Sequence, residues 1–225
     1  MILLFLFLTF HPIPGEKIVM DVYFGPLKAG KLVLKVMPDV KIINRIPCYH
    51  LNLRLKTTGL FSSIFKVDDE IQSLIDTTSL HTLVYSKKLR EGKYRASSYV
   101  FYSFKDSLAV YPDTTVKTPP FYDPLSLIYL ARSVAEGETL AVTYHVDRIT
   151  TTAKVYVVEH ESVMGRDARK VVIAFSQKGL FKDGGNFFMW ISTDSAWREP
   201  LKIQSKLKIG SITGILSKYI PGKSS

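Results

Sequence analysis

Five histidines, one cysteine and a run of three carboxylates are the residues of this chain whose types suit chemistry. His11, His50, His81, His145 and His160 are scattered. His50 and His145 each fall on the polar side of an alternating stretch, which predicts that both face solvent. His145, His160 and Glu161 would meet if their segments formed a hairpin, but their spacing matches no metal-ligand pattern, and no metal is expected. Asp68, Asp69 and Glu70 would suit acid–base catalysis only if they converged on one substrate. Neighbours on a strand point to opposite faces, so a turn or a solvated strand end is the expectation instead. Cys48 stands alone, so no intrachain disulfide and no cluster of thiolate ligands can form. It reads as a small apolar residue at the start of a strand. The sequence holds no G-x-S-x-G elbow, H-E-x-x-H pair or glycine-rich phosphate loop. In "WISTDSAWREPLK" Trp190 and Trp197 flank Ser192, Asp194 and Ser195. Asp194 is expected to cap a turn there, the alternative being a polar rim to a groove. The expectation is a protein without catalysis and without a cofactor.

The elements that must position these residues are mostly strands. Ile18, Met20, Val22 and Phe24 share one face of a first arm and Leu32, Leu34 and Val36 one face of a second, with "FGPLKAGK" turning between them. Leu51, Leu53 and Leu55 alternate with His50, Asn52, Arg54 and Lys56, the pattern of a half-buried strand. "GLFSSIFK" predicts a turn or single helical turn that delivers Leu60, Phe61 and Phe65 to an apolar surface. Further alternating segments follow to the end of the chain, the last being "LKIQSKLKIGSITGIL". In it Leu201, Ile203, Leu207 and Ile209 face one way and Lys202, Gln204, Lys206 and Lys208 the other.

One stretch breaks the pattern. "PPFYDPLSLIYLARS" has apolar residues at helical spacing, Asp123 as N-cap and Pro124 at the first helical position, where no amide hydrogen is needed. The sum is a mainly all-β protein: a large curved antiparallel sheet, half-barrel or barrel, of about eleven strands joined by short turns. One principal helix near 123–134 serves as plug or lid over the concave face that the turns cannot cover.

With 225 residues and 46% hydrophobic composition the chain can bury a sizeable core, and wholesale disorder is excluded. Residues 1–14 hold an apolar run, Ile2 to Phe10, too short for a spanning helix but signal-like, so export is expected, with a cytosolic buried first strand as the alternative. Residues 15–217 are expected to form a single antiparallel β domain and 218–225 a basic, flexible tail. The formal charge of +10 gathers late, and Arg198, Lys202, Lys206 and Lys208 form a predicted basic face suited to an anionic membrane surface or an envelope protein. No nucleic-acid motif is present, and nucleic acid is not an expected partner.

Five segments carry a resemblance: "GEKIVMDVYFGPLKAGKLVLKV", "GLFSSIFKVDDEIQSLID", "LREGKYR", "YDPLSLIYLAR" and "GNFFMWISTDSAWREPLKIQSKLKIGSITGIL". In these the chain resembles the bacterial domain-of-unknown-function family numbered 3108. The resemblance implies an exported, envelope-associated all-β protein of Gram-negative-type bacteria, and brings no catalytic residues with it. A curved antiparallel sheet covered by a helix is also similar, in inferred architecture alone, to the periplasmic lipoprotein carriers of the Lol system. The expected function is to bind or carry an acyl chain or other elongated apolar ligand between sheet and helix. Leu51, Leu53, Leu55, Leu125, Ile128 and Tyr129 would supply the apolar face, with Trp190 near the mouth. The alternative is a structural or assembly protein of the envelope whose sheet is filled by its own side chains.

Overall fold

The computed structural model describes residues 10–176, 186–207 and 210–223. Its first half runs β1 (Lys17–Phe24), β2 (Leu27–Val36), β3 (Lys41–Ile43), β4 (Ile46–Thr57), α1 (Gly59–Ile64), β5 (Asp68–Asp76), β6 (Thr82–Glu91), β7 (Tyr94–Ser103), β8 (Leu108–Val110) and β9 (Thr115–Lys117). Helix α2 (Pro124–Ser133) separates these from β10 (Thr139–Val146), β11 (Ile149–Val163), β12 (Arg166–Phe175), β13 (Asn186–Ser192), β14 (Pro200–Leu207) and β15 (Gly210–Ile220). The described residues thus form fifteen strands, not eleven, in one antiparallel sheet.

Sequence neighbours pair along most of the sheet, and the β1–β15 ladder joins its two halves in the middle. The edges β9 and β10 do not pair with each other. Instead Phe121 and Tyr122 bridge the open side: Tyr122 N donates to Thr143 O, His145 N to Tyr122 O, and Thr82 N to Phe121 O. The result is an open barrel with a backbone strap across its gap. Close strand approach is built in at Gly30, where a Cβ would stand 2.1 Å from Lys56 O.

Alternation holds where one face is buried. Ile18, Met20, Leu34, Val36, Leu51 and Leu53 all enter one core together with Leu125, Leu127 and Tyr129 of α2. A smaller cluster of Val163, Ala168, Trp190 and Leu201 lies apart from it.

Several expectations change. The last predicted strand is a hairpin, with Leu207 opposite Gly210. A bulge at Trp190/Ile191 in the β13–β14 ladder takes Leu201 out of step with Ile203 and into the Trp190 cluster. Helix α1 forms but buries none of its residues, and Leu60 and Phe65 project into solvent. Of that predicted apolar trio Phe61 turns to Phe24, with its ring 6.2 Å away, and the Phe65 ring lies over Gly92. Residues 1–9 lie outside the described residues, but Phe10 to Pro14, expected as the end of the signal, lie against the barrel. Phe10 stacks on Arg132 at 4.1 Å, and Pro12 is buried. The expected tail is ordered through Lys223, since β15 continues to Ile220 and Lys223 N donates to Pro14 O at 3.0 Å.

Candidate functional site

Helix α2 starts at a cap that does more than cap. Asp123 Oδ1 accepts from Leu125 N (2.6 Å) and Ser126 N (3.1 Å), and the Ser126 hydroxyl accepts in return from Asp123 N (2.8 Å). The other carboxylate oxygen accepts from the Thr82 hydroxyl (2.8 Å) and from Ser73 of β5. Asp123 is fully buried, and burial raises its carboxyl above the usual range against the pull of these donors. The cap therefore ties the start of α2 to β5 and β6.

The far end of α2 is tied by charge. Arg132 and Glu16 are both fully buried and form a bidentate pair at 2.7 and 3.0 Å. Glu16 also accepts from the hydroxyls of Tyr129 (2.7 Å) and Tyr219 (2.6 Å), while Arg132 donates to the carbonyls of Trp197 and Arg198. Burial opposes the charge on Arg132, but the Glu16 carboxylate outweighs it and holds the guanidinium more basic than usual. Burial and the same carboxylate push the Tyr129 phenol well above its ordinary range.

Between these two ties lies an apolar cavity of about 260 Å³. It is lined from α2 by Pro124, Leu125, Leu127 and Ile128, and from the sheet by Leu32, Leu53, Ile71, Tyr144, Ile173, Phe175, Phe187 and Ile203. Tyr144 alone among these carries a polar side-chain atom. Leu32, Ile128, Phe175, Phe187 and Ile203 are half-buried, which gives the cavity access to solvent. The strand ladders place that side of the lining toward one end of the barrel: Phe175 ends β12, Phe187 lies next to the start of β13, and Leu32 pairs with Leu55 near the end of β4.

Of the residues expected at a ligand site, Leu53, Leu125 and Ile128 line this cavity. Leu51 is buried in the core away from it, Leu55 packs beside it, and Tyr129 points to Glu16. Trp190 is not at the mouth. In the continuous apolar run of β13, Met189 and Ile191 enter the main core, so Trp190 between them takes the other face. There its indole donates to Glu161 and carries Lys202 at 4.1 Å. Of the predicted basic face, the structure describes the side chains of Arg198 and Lys202. Arg198 turns back, at a φ of 46°, to donate to Arg132 O (3.1 Å), and Lys202 lies on Trp190. The Lys206 side chain and Lys208 lie outside what the structure describes.

The other singled-out polar residues have structural partners. His145 is buried, not exposed, with Nε2 2.7 Å from the Tyr111 hydroxyl and Nδ1 2.8 Å from that of Thr150. Burial pushes its pKa down to about 4. His50 is half-buried beside Gln72 (3.1 Å), and His160 approaches Glu136 at 3.4 Å. Among the described residues no three His, Cys, Asp or Glu side chains gather closely enough to hold a metal ion. The carboxylate run forms the first three residues of β5, a strand end as expected, with Asp68 and Glu70 half-buried and Asp69 buried. Asp68 faces Arg54 and Lys56, Asp69 is buried and accepts from Arg90 N, and Glu70 meets Asn52. Asp194 pairs with Arg166 (2.8 Å) instead of capping its turn, and Arg166 also holds Glu199 (3.0 Å). Sequence reasoning missed Glu16 and Arg132. The one available signal was an arginine on the apolar side of α2.

No helix among the described residues is long and apolar enough to cross a membrane. No curated protein matches the chain. Among solved structures, a β-barrel-like protein from Brucella abortus, of domain-of-unknown-function family DUF1849, superposes with a TM-score of 0.65. It shares 15% identity and covers 92% of this chain and 98% of its own, a likeness in fold. A candidate lipoprotein from Parabacteroides distasonis gives a TM-score of 0.42 at 10% identity, over 94% of this chain and 98% of its own, and at that score carries no argument. The family model for proteins of unknown function DUF3108 matches residues 19–217, nearly the whole described barrel, and the chain belongs to that family.

Proposed function

We propose that this protein is exported and holds a single acyl chain, or a similarly elongated apolar molecule, between α2 and the concave sheet, without catalysis. The observation that carries the reading is the cavity of about 260 Å³ with its apolar lining. A dry cavity of about 150 Å³ admits benzene, so this one takes roughly ten carbon atoms. That suits a segment of an acyl chain better than a whole lipid. Each buried methylene contributes about 0.8 kcal/mol, so such a segment would bind usefully with no charged anchor inside. Apart from the Tyr144 hydroxyl, no side chain of the lining carries a polar atom that could orient a reacting bond. The apolar run at the start of the chain supports export.

Native mass spectrometry of protein purified from envelope fractions tests this, together with displacement of a fluorescent fatty acid. Co-purified acyl species and saturable displacement are expected. Empty protein that fails to bind the probe would overturn the reading and leave a structural role in the envelope.

A further inference from the structure

Helix α1 joins β4 to β5 at the end of the barrel toward which the cavity opens. The ladders fix this: Thr57 of β4 pairs with Gly30 of β2, Phe24 with both Leu27 and Ile212, and Ser205 with Phe187. Six residues long, α1 has no side-chain cap and buries nothing. Leu60 is 87% exposed and Ile64 83%. Phe65 and Leu27 beside them are also largely exposed, so an apolar patch stands out from this rim.

Cations adjoin it. Lys66, Arg90 and Arg95 line a surface concavity of about 420 Å³ in which Asp68 is the one acid. That carboxylate is already held by Arg54 (3.1 and 3.3 Å) and Lys56 (3.4 Å). Among the described residues the side chains of Lys66, Arg90 and Arg95 pair with no carboxylate; Arg95 donates to the carbonyls of Gly92 and Tyr94. The remaining acids nearby, Asp69 and Glu91, are buried and half-buried. Gly92 N donates to Lys66 O at 2.7 Å and a Cβ at Gly92 would touch the Phe65 ring, so the cationic hairpin and the apolar helix form one surface.

We propose that this rim docks on an anionic lipid bilayer. Leu60, Ile64 and Phe65 enter the boundary between headgroups and acyl chains, and a lipid phosphate sits among Lys66, Arg90 and Arg95. Apolar side chains reaching past a cationic collar match the layering of such a surface, which offers phosphate outside and hydrocarbon within. A neutral protein partner would leave the cations unmatched, and a free anion would leave the apolar side chains in water. Docking this way turns the cavity's open end toward the bilayer, though the docking itself does not depend on what the cavity holds.

Vesicle sedimentation with the full chain tests the proposal, comparing phosphatidylcholine alone with mixtures containing phosphatidylglycerol. Binding to the anionic vesicles is expected, with release as salt rises from about 0.05 to 0.5 M. Lys66→Ala with Arg95→Ala should weaken it roughly 25-fold, about fivefold for each cation. Leu60→Ser with Ile64→Ser should weaken it about tenfold or more, with an unchanged melting temperature because both side chains are exposed. Equal binding to both vesicle types, no binding to either, or variants that bind like wild type would each overturn the proposal. So would a concentration-dependent dimer abolished by the Leu60/Ile64 pair while vesicles are ignored, which would assign the rim to a second copy. Ile128→Trp, inside the cavity, should bind vesicles as wild type does, so docking and cavity occupancy fail separately.

Discussion

Ile128→Trp separates a cavity that carries something from a core with a packing fault. Ile128 lies on the face of α2 that lines the cavity and is half-buried there. An indole in its place adds about six heavy atoms. The space takes roughly ten carbons, so about four would remain for a ligand. Losing about six methylenes of contact at about 0.8 kcal/mol each removes about 5 kcal/mol, or between about three and four orders of magnitude in Kd. Stability should barely change, because the ring occupies space that no protein atom fills. A solid core would respond differently: overpacking costs about 1–3 kcal/mol, and a chain of this size loses roughly 2–4 °C in Tm per kcal/mol. Thermal melts and titration with a fluorescent fatty acid read both quantities on the same samples. Wild-type protein that ignores the probe, together with a variant melting several degrees lower, refutes the carrier reading. Probe binding by the variant at wild-type strength refutes the assignment of the site.

Glu16→Gln should cost about 3 kcal/mol or more, because it strands the buried Arg132 charge. Glu16→Leu combined with Arg132→Met should recover most of that, as denaturant midpoints would show. Asp123→Ala should cost about 3 kcal/mol, well above an ordinary N-cap, since the Ser73 and Thr82 hydroxyls lose their acceptor as well as the two helix amides. Asp123→Asn keeps one acceptor oxygen and should lose less, so equal losses for the two substitutions in the same denaturant series would refute that account. His145 is neutral in the folded protein because burial holds its pKa at about 4, whereas the unfolded chain protonates it near 6.5. The unfolded state therefore binds more protons across that window. Stability should fall by about 2 kcal/mol as pH drops from 6.5 to 4, and His145→Gln should flatten that part of a Tm-against-pH curve.

How legible each element was follows from how local its cause is. β1, β2 and β4 have one buried face each, so Ile18, Met20, Leu34, Leu51 and Leu53 announce themselves by alternation. The start of α2 was equally plain, because Asp-Pro acts through amides two and three residues away. β13 buries residues on both faces, and periodicity cannot assign Trp190 to either. β3 escaped notice because its turn, Asn44–Arg45, takes positive φ at both residues with arginine where glycine is commoner. The second hairpin arm of the last segment was hidden for a similar reason, since "LKIG" offers no turn dipeptide. Partners brought together by the curvature of the sheet were invisible: Glu16 meets Arg132 across 116 positions, and His145 meets Tyr111 across 34. An alternating pattern reported that His145 points away from its apolar neighbours. It could not report that a tyrosine and the Phe121 strap cover that face.

The two ties on α2 decide between lid and plug. Swinging the helix away from the sheet would part Arg132 from Glu16 and strip Asp123 of its hydroxyl donors from β5 and β6. Separating a buried ion pair costs about 3–5 kcal/mol, and exposing the buried cap adds about 1–3 kcal/mol. The apolar contacts of Leu125, Leu127 and Leu130 would be lost as well. An open state above the closed one by the sum of these would be populated at less than about one part in a thousand. That is a poor route for exchange. Rearranging Ile128, Phe175 and Phe187, all half-buried on the lining, breaks no hydrogen bond of either tie. A ligand should therefore pass beside a fixed helix, and its exchange rate should respond to bulk at these three positions far more than to weakening of the Glu16–Arg132 pair.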